Sequence, residues 1–116
     1  MQEQLHTSDA FKMAVALRMA RVAVGWSQVE LAEKIGIAKT TLARFETLEG
    51  GLRADQLTQL LRLYRDVGVE VDFLSEGRVS VNVAEPGLLA AFERIQDADM
   101  RRKDRRRSGS FLNRQG

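Results

Sequence analysis

The sequence predicts a mainly α fold, with four short helices, a β-hairpin, and a C-terminal helix that runs into a basic tail. Three observations predict it. Between Gly25 and Glu46 (GWSQVELAEKIGIAKTTLARFE) two helix signatures flank one glycine corner. Apolar residues recur at helical spacing on both sides of that stretch, and after Gly68 the period falls to two. At 116 residues and 44% hydrophobic content, the chain holds one small domain plus appendages, enough for a core but not for a separate catalytic domain.

The first helix is expected over Phe11–Val24, with Ser8 or Thr7 as its cap and Phe11, Val15, Leu17 and Val22 as candidates for burial. Next come the paired signatures. Ser27 is a good N-cap, Glu30 sits where a capping box needs it, and Trp26 and Leu31 occupy the positions of a hydrophobic staple. Leu31, Ala32 and Ile35 make one apolar face, with Ala32 small enough to let a second helix cross closely. Gly36 then suits a C′ position with positive φ. Apolar spacing resumes at Leu42 and Phe45, while Lys39, Thr40, Ala43, Arg44 and Thr47 point away from that face. An exposed helix face of Lys, Thr and Arg can reach phosphates and base edges. A fourth helix, Ala54–Val67, carries Leu57, Leu60, Leu61 and Tyr64 at core spacing.

With caps, glycine and apolar positions all in register, this segment resembles the Cro/C1-type (lambda-repressor-like, XRE-family) helix-turn-helix family of phage repressors, bacterial regulators and some antitoxins. The resemblance covers roughly Leu17 to Val69. In that family the second motif helix lies in the major groove and reads bases, while the first crosses the DNA backbone. By position, the resemblance implies Gln28 as a phosphate contact and Lys39, Thr40, Thr41 and Arg44 as reading residues. Arg44 could pair bidentately with a guanine, at about 1–3 kcal/mol of discrimination. Leu31, Ile35, Leu42 and Phe45 are expected in the core. Two positions depart from the family pattern. Ala38 stands where a capping serine is usual, at a cost of about 1 kcal/mol. Thr47-Leu48 replaces the usual ending with glycine two residues after the glutamate, and the glycines come later, at Gly50 and Gly51.

After Gly68, Val69, Val71 and Phe73 alternate with Glu70 and Asp72, and Val79, Val81 and Val83 alternate with Ser80 and Asn82. Ser75, Glu76 and Gly77 form the turn between them. A lone hairpin is marginally stable in water, so its valine and phenylalanine face needs a cover. That cover is either its own helical domain or the same hairpin of a second subunit. Because family dimers set two reading helices on half-sites one DNA turn apart, the dimer is the favoured expectation, with Val69, Val71, Phe73, Val79, Val81 and Val83 as its interface.

The third part opens at Pro86, suited to the first helical position, and Leu88, Leu89, Phe92 and Ile95 form an apolar stripe. The expected division is therefore 8–67 for DNA binding, 68–84 for the hairpin, and 85–116 for a C-terminal helix with a basic, partly disordered tail. Residues 101–116 carry +6 while the whole chain carries +2, so residues 1–100 carry −4. A net acidic body attracts DNA poorly, which makes Arg101, Arg102, Lys103, Arg105, Arg106 and Arg107 candidates for backbone contact. The plain alternative is a solvated extension that places cations at a helix C-terminus.

Composition excludes other chemistry. The chain has no cysteine for a disulfide or a thiolate metal site. Its single histidine, His6, lies in a polar lead, and no phosphate loop or dinucleotide fingerprint is present. No enzyme activity, cofactor or metal is expected. Nor is a membrane span or signal-peptide layout visible, so the expected location is cytoplasmic. The expected function is a homodimeric transcriptional repressor on a two-fold symmetric operator, with an antitoxin that binds a toxin protein and represses its own operon as the alternative.

Overall fold

The computed structural model describes residues 8–115, with side chains described for residues 8–100 and Arg102. Among these, five helices and one hairpin follow in the order α1 (Asp9–Val24), α2 (Gln28–Ile35), α3 (Lys39–Glu46), α4 (Ala54–Asp66), β1 (Val69–Asp72), β2 (Ser80–Val83) and α5 (Glu85–Gln115).

Ser8 caps α1, its hydroxyl accepting from the Phe11 amide at 3.1 Å. The face that α1 buries differs from the expected one. Leu17 is buried as anticipated and Val15 half-buried, but Phe11 and Val22 are 41% and 65% exposed. The inward ridge is instead Ala14, Leu17, Ala20 and Val24, at three- and four-residue spacing. Alanines there let the backbones of neighbouring elements approach closely, so the larger side chains fall on the outer side.

The capping box at α2 is formed in full, with the Glu30 amide donating to the Ser27 hydroxyl at 3.0 Å and the Ser27 amide to the Glu30 carboxylate at 3.1 Å. At the corner, Gly36 adopts φ 70° and the Ile37 amide donates to the Ala32 carbonyl at 3.0 Å, closing α2 in a left-handed turn. α4 contributes Leu60 and Tyr64, both fully buried, with Leu57 and Leu61 packed half-buried beside them. The Tyr64 ring stacks on Trp26, centroids 5.7 Å apart, and its hydroxyl donates to the Leu17 carbonyl at 3.2 Å. Burial, with the nearby Glu46 charge, pushes that hydroxyl's pKa well up, which keeps it a donor.

The hairpin is antiparallel, and its register sets Val69 against Val83 and Val71 against Val81. Val69 is buried, and Val71, Val81 and Val83 pack half-buried on the helical core. The valine face expected to seek a second subunit is therefore covered by α1 and α4 of its own chain. That is the first of the two covers open on sequence; beneath it Val69 is buried, while Val71, Val81 and Val83 keep part of their surface exposed. Phe73 and Val79 lie just beyond the paired residues and are half-buried. The turn is fastened from both sides. The Asp72 carboxylate, held below the usual range by Ser75 and Leu74 donors, fixes its near end. The buried Lys12 ammonium donates to the Ser75 carbonyl at 2.8 Å.

α5 begins at Glu85, one residue before Pro86, and continues to Gln115. Its backbone is thus helical through the basic segment. At Gly87 it packs close to the domain, since a Cβ there would lie 2.8 Å from both the Val67 carbonyl oxygen and a Val83 methyl. No described helix is long and apolar enough to cross a membrane.

Candidate nucleic-acid interface

The outer face of α3 is available because its inner face is fully committed. Leu42 and Phe45 lie in the core, and Glu46 follows them inward with its side chain 2% exposed. Eight residues make little more than two turns, so fixing three of them fixes where the others point. Lys39, Thr40 and Arg44 are exposed, and Thr41 is half-buried beside them. The structure thus brings all four expected reading residues onto one short helix. α2 packs across α3 from the other side of the Gly36 corner.

A charged clamp, not anticipated from the sequence, sets the pitch of α3. The Arg21 guanidinium on α1 donates through Nε and Nη2 to the two Glu46 carboxylate oxygens, at 2.8 and 3.0 Å. Its Nη1 donates to the Trp26 carbonyl at 3.0 Å, and Gln28 Nε2 donates to Glu46 Oε1 at 2.9 Å. Two rigid groups in a bidentate fork define both distance and orientation. Removing one partner of such a buried pair costs about 3–5 kcal/mol. The inward placement of Glu46 alone had a sequence signal, because it lies four residues after Leu42 and continues the apolar stripe of α3; its pairing with Arg21 had none.

That network also redefines Gln28. It stands at the first position of α2, half-buried, with one amide hydrogen committed to Glu46. One side-chain N–H and the unsatisfied amides of the first turn of α2 remain for a phosphate.

The two departures from the family pattern have structural outcomes. Ala38 provides no side-chain cap, and its backbone alone opens α3. Leu48 takes the left-handed conformation, φ 65°, at the position where the family places glycine. The turn is held by Glu49 and Gly50 amides donating to the Arg44 carbonyl at 2.7 and 3.2 Å, and by the Thr47 hydroxyl donating to Ala43 at 3.0 Å.

Of the basic segment, Arg102 is exposed and lies 3.6 Å from Asp99. The side chains of Arg101, Lys103, Arg105, Arg106 and Arg107 lie outside the described part of the structure. What leads up to them is described. Arg94 forms an ion pair with Glu30 in the first turn of α2, and its stem lies against Gly25. Burial pushes the Glu30 carboxyl up, but the Ser27 amide and Arg94 outweigh it and leave the pKa below its ordinary value. The basic segment begins two turns beyond this tether.

Residues 17–70 match the family model described as helix-turn-helix. No curated protein and no solved structure matches the chain.

Proposed function

Residues 17–70 form a Cro/C1-type helix-turn-helix domain of a DNA-binding transcription regulator, and from that premise we propose that the chain is a repressor. It acts as a homodimer on an operator of two-fold symmetry and blocks transcription by occupancy. The observation that carries this is the division of α3 into a fixed inner face and a polar outer one. Lys39, Thr40 and Arg44 are exposed, while Leu42, Phe45 and Glu46 hold the helix to the domain. Thr40, Thr41 and Arg44 read base edges, Lys39 and the first turn of α2 hold phosphates, and the Arg21–Glu46–Gln28 clamp keeps both sets in one register.

The basic segment of α5 adds backbone attraction without sequence choice. It continues from a helix tethered at the first turn of α2, the part of the motif that meets the DNA backbone in this family. No catalysis, cofactor or metal enters this reading, and its setting is the cytoplasm. A second reading, favoured by the exposed apolar stripe of α5, is an antitoxin that grips a toxin protein and represses its own operon.

The test is binding of the full chain to the DNA upstream of its own gene and to random DNA across a salt series, repeated with a chain ending at Asp99. A preference of about a thousandfold or more supports a specific regulator. A shallower salt slope on truncation shows that the arginines meet phosphate. Equal affinity for both DNAs overturns the regulator reading and redirects attention to a protein partner.

A further inference from the structure

α5 docks on its own domain with the wrong face for a terminal helix that merely completes a core. Its inward side is made of small residues and one ion pair. Gly87 is buried against Val67 and Val83, Ala90 and Ala91 are half-buried, and Arg94 is bonded to Glu30. Its large apolar residues point outward, with Leu88 56%, Leu89 55%, Phe92 56%, Ile95 64% and Met100 59% exposed. Five such side chains along one helix form an apolar surface of the kind that marks a protein–protein contact.

We propose that a second copy of this chain covers it, the two α5 helices crossing antiparallel through this stripe. The proposal rests on the regulator reading, because an operator with two half-sites is incompletely bound by one reading helix. The hairpin valines pack against the core of their own chain, whereas Leu88, Leu89, Phe92 and Ile95 follow one another on a single outward helix face, each more than half exposed.

Charge selects the orientation. A parallel pair would set two segments of +6 side by side, a like-charge contact along the whole basic run. An antiparallel pair sends them to opposite ends. The register that sets Leu88 opposite Met100 also brings residues 101–103 across from the partner's first turn, where Glu85 is exposed. Each tail then projects past the dimer at its own end, free to follow DNA phosphates on that side.

The test is the solution mass of the full chain, by sedimentation equilibrium, for the native sequence and for Phe92→Glu, with far-UV circular dichroism to confirm that the variant is folded. Phe92 faces outward, so the expected result is a two-chain mass that halves on substitution with helix content retained. A native chain that is monomeric, or a folded Phe92→Glu variant that remains dimeric, overturns the proposal; in the monomeric case the stripe awaits a different protein.

Orientation is read with single cysteines, which are unique probes because the chain has none. In the antiparallel register Ile95→Cys lies next to the two-fold axis and cross-links on oxidation. Leu89→Cys lies about 15 Å from its symmetry mate along the helix, beyond disulfide reach. Cross-linking of both variants would mean parallel pairing and overturn the orientation. DNA binding separates the two claims. A dimer that Phe92→Glu splits, with no preference for its own upstream DNA, retains the interface and removes the regulator reading. A native monomer that discriminates DNA does the reverse.

Discussion

Arg44 and Leu48 show how much a single position can carry at the end of α3. Arg44 is exposed on the outer face, while its carbonyl accepts from the Thr47, Glu49 and Gly50 amides, so the backbone beneath the exposed guanidinium is held. If Arg44 reads a base, Arg44→Ala weakens operator binding by about 1–3 kcal/mol and leaves binding to random DNA nearly unchanged. Competition titrations on both DNAs measure this, and an equal loss on each would assign Arg44 to phosphate. Leu48 poses a question of strain. A left-handed conformation costs a residue with a Cβ about 1–2 kcal/mol, and at 50% exposure the leucine side chain returns little of that through burial. Glycine removes the strain but adds about 0.5–1 kcal/mol of unfolded-state entropy. Leu48→Gly is therefore expected to stabilise the chain by about 0.5–1 kcal/mol, a rise in Tm of roughly 2–6 °C. An unchanged or lower Tm in a thermal scan would place the relief elsewhere. Both residues were legible in the sequence, Arg44 from helical spacing and Leu48 as a departure from the family's glycine. The Arg21–Glu46 clamp was not, since two charged residues 25 positions apart give no local pattern that marks them as partners.

At the scale of elements, legibility follows side-chain size. The capping box, the Gly36 corner, the α4 stripe and the apolar alternation of the hairpin all rest on strong local patterns, and each formed as read. The face of α1 yielded only in part, because Ala14, Ala16 and Ala20 are buried beside Leu17 while Phe11 and Val22 are exposed; the α5 stripe was legible as apolar but not as to its cover. The hairpin was legible as a hairpin but not as to its cover, since alternation identifies an apolar face without saying what lies over it. With the cover known, Val71→Asp is expected to destabilise the fold by about 2–3 kcal/mol, by placing a carboxylate against Val81 and the helical core. Urea unfolding gives the loss, and a fully stable variant that had become monomeric would restore the valine face as a dimer contact. Gly87 makes the corresponding prediction for α5. A methyl group there meets a backbone carbonyl oxygen at 2.8 Å, which cannot swing away as a side-chain tip can. Overpacking of that kind costs about 1–3 kcal/mol, against a helix-propensity gain of up to about 1 kcal/mol. Gly87→Ala should lower the urea midpoint, whereas a midpoint unchanged or raised would mean that α5 sits less closely than described.

For the whole molecule, the central question is how α5 is joined to the domain that reads DNA. The Arg94–Glu30 ion pair is a charged link between them, and Glu30 serves at the same time in the capping box of α2. One carboxylate thus ties the stripe-bearing helix to the first turn of the motif. Because the folded-state pKa of Glu30 lies below its ordinary value of 4.5, its contribution to stability is fully present above that value. It is lost as pH falls through the depressed folded-state pKa. Both side chains are about one-third exposed, so solvent screens the pair and the effect is modest. Hydrogen bonds from Ser75 and Leu74 also hold the Asp72 pKa below its ordinary value, so the acid limb of one protein alone does not isolate Glu30. Comparison with Glu30→Gln does. Glutamine can still accept from the Ser27 amide and preserve the box, but it carries no charge for Arg94. The native chain should therefore be the more stable of the two at neutral pH, and the gap should close as pH drops from about 4.5 toward 3. Thermal unfolding of both proteins across that range measures it. A gap that stays constant to pH 3 would mean that the two side chains differ in packing rather than in charge, and α5 would then be held by Gly87 and the alanine face alone.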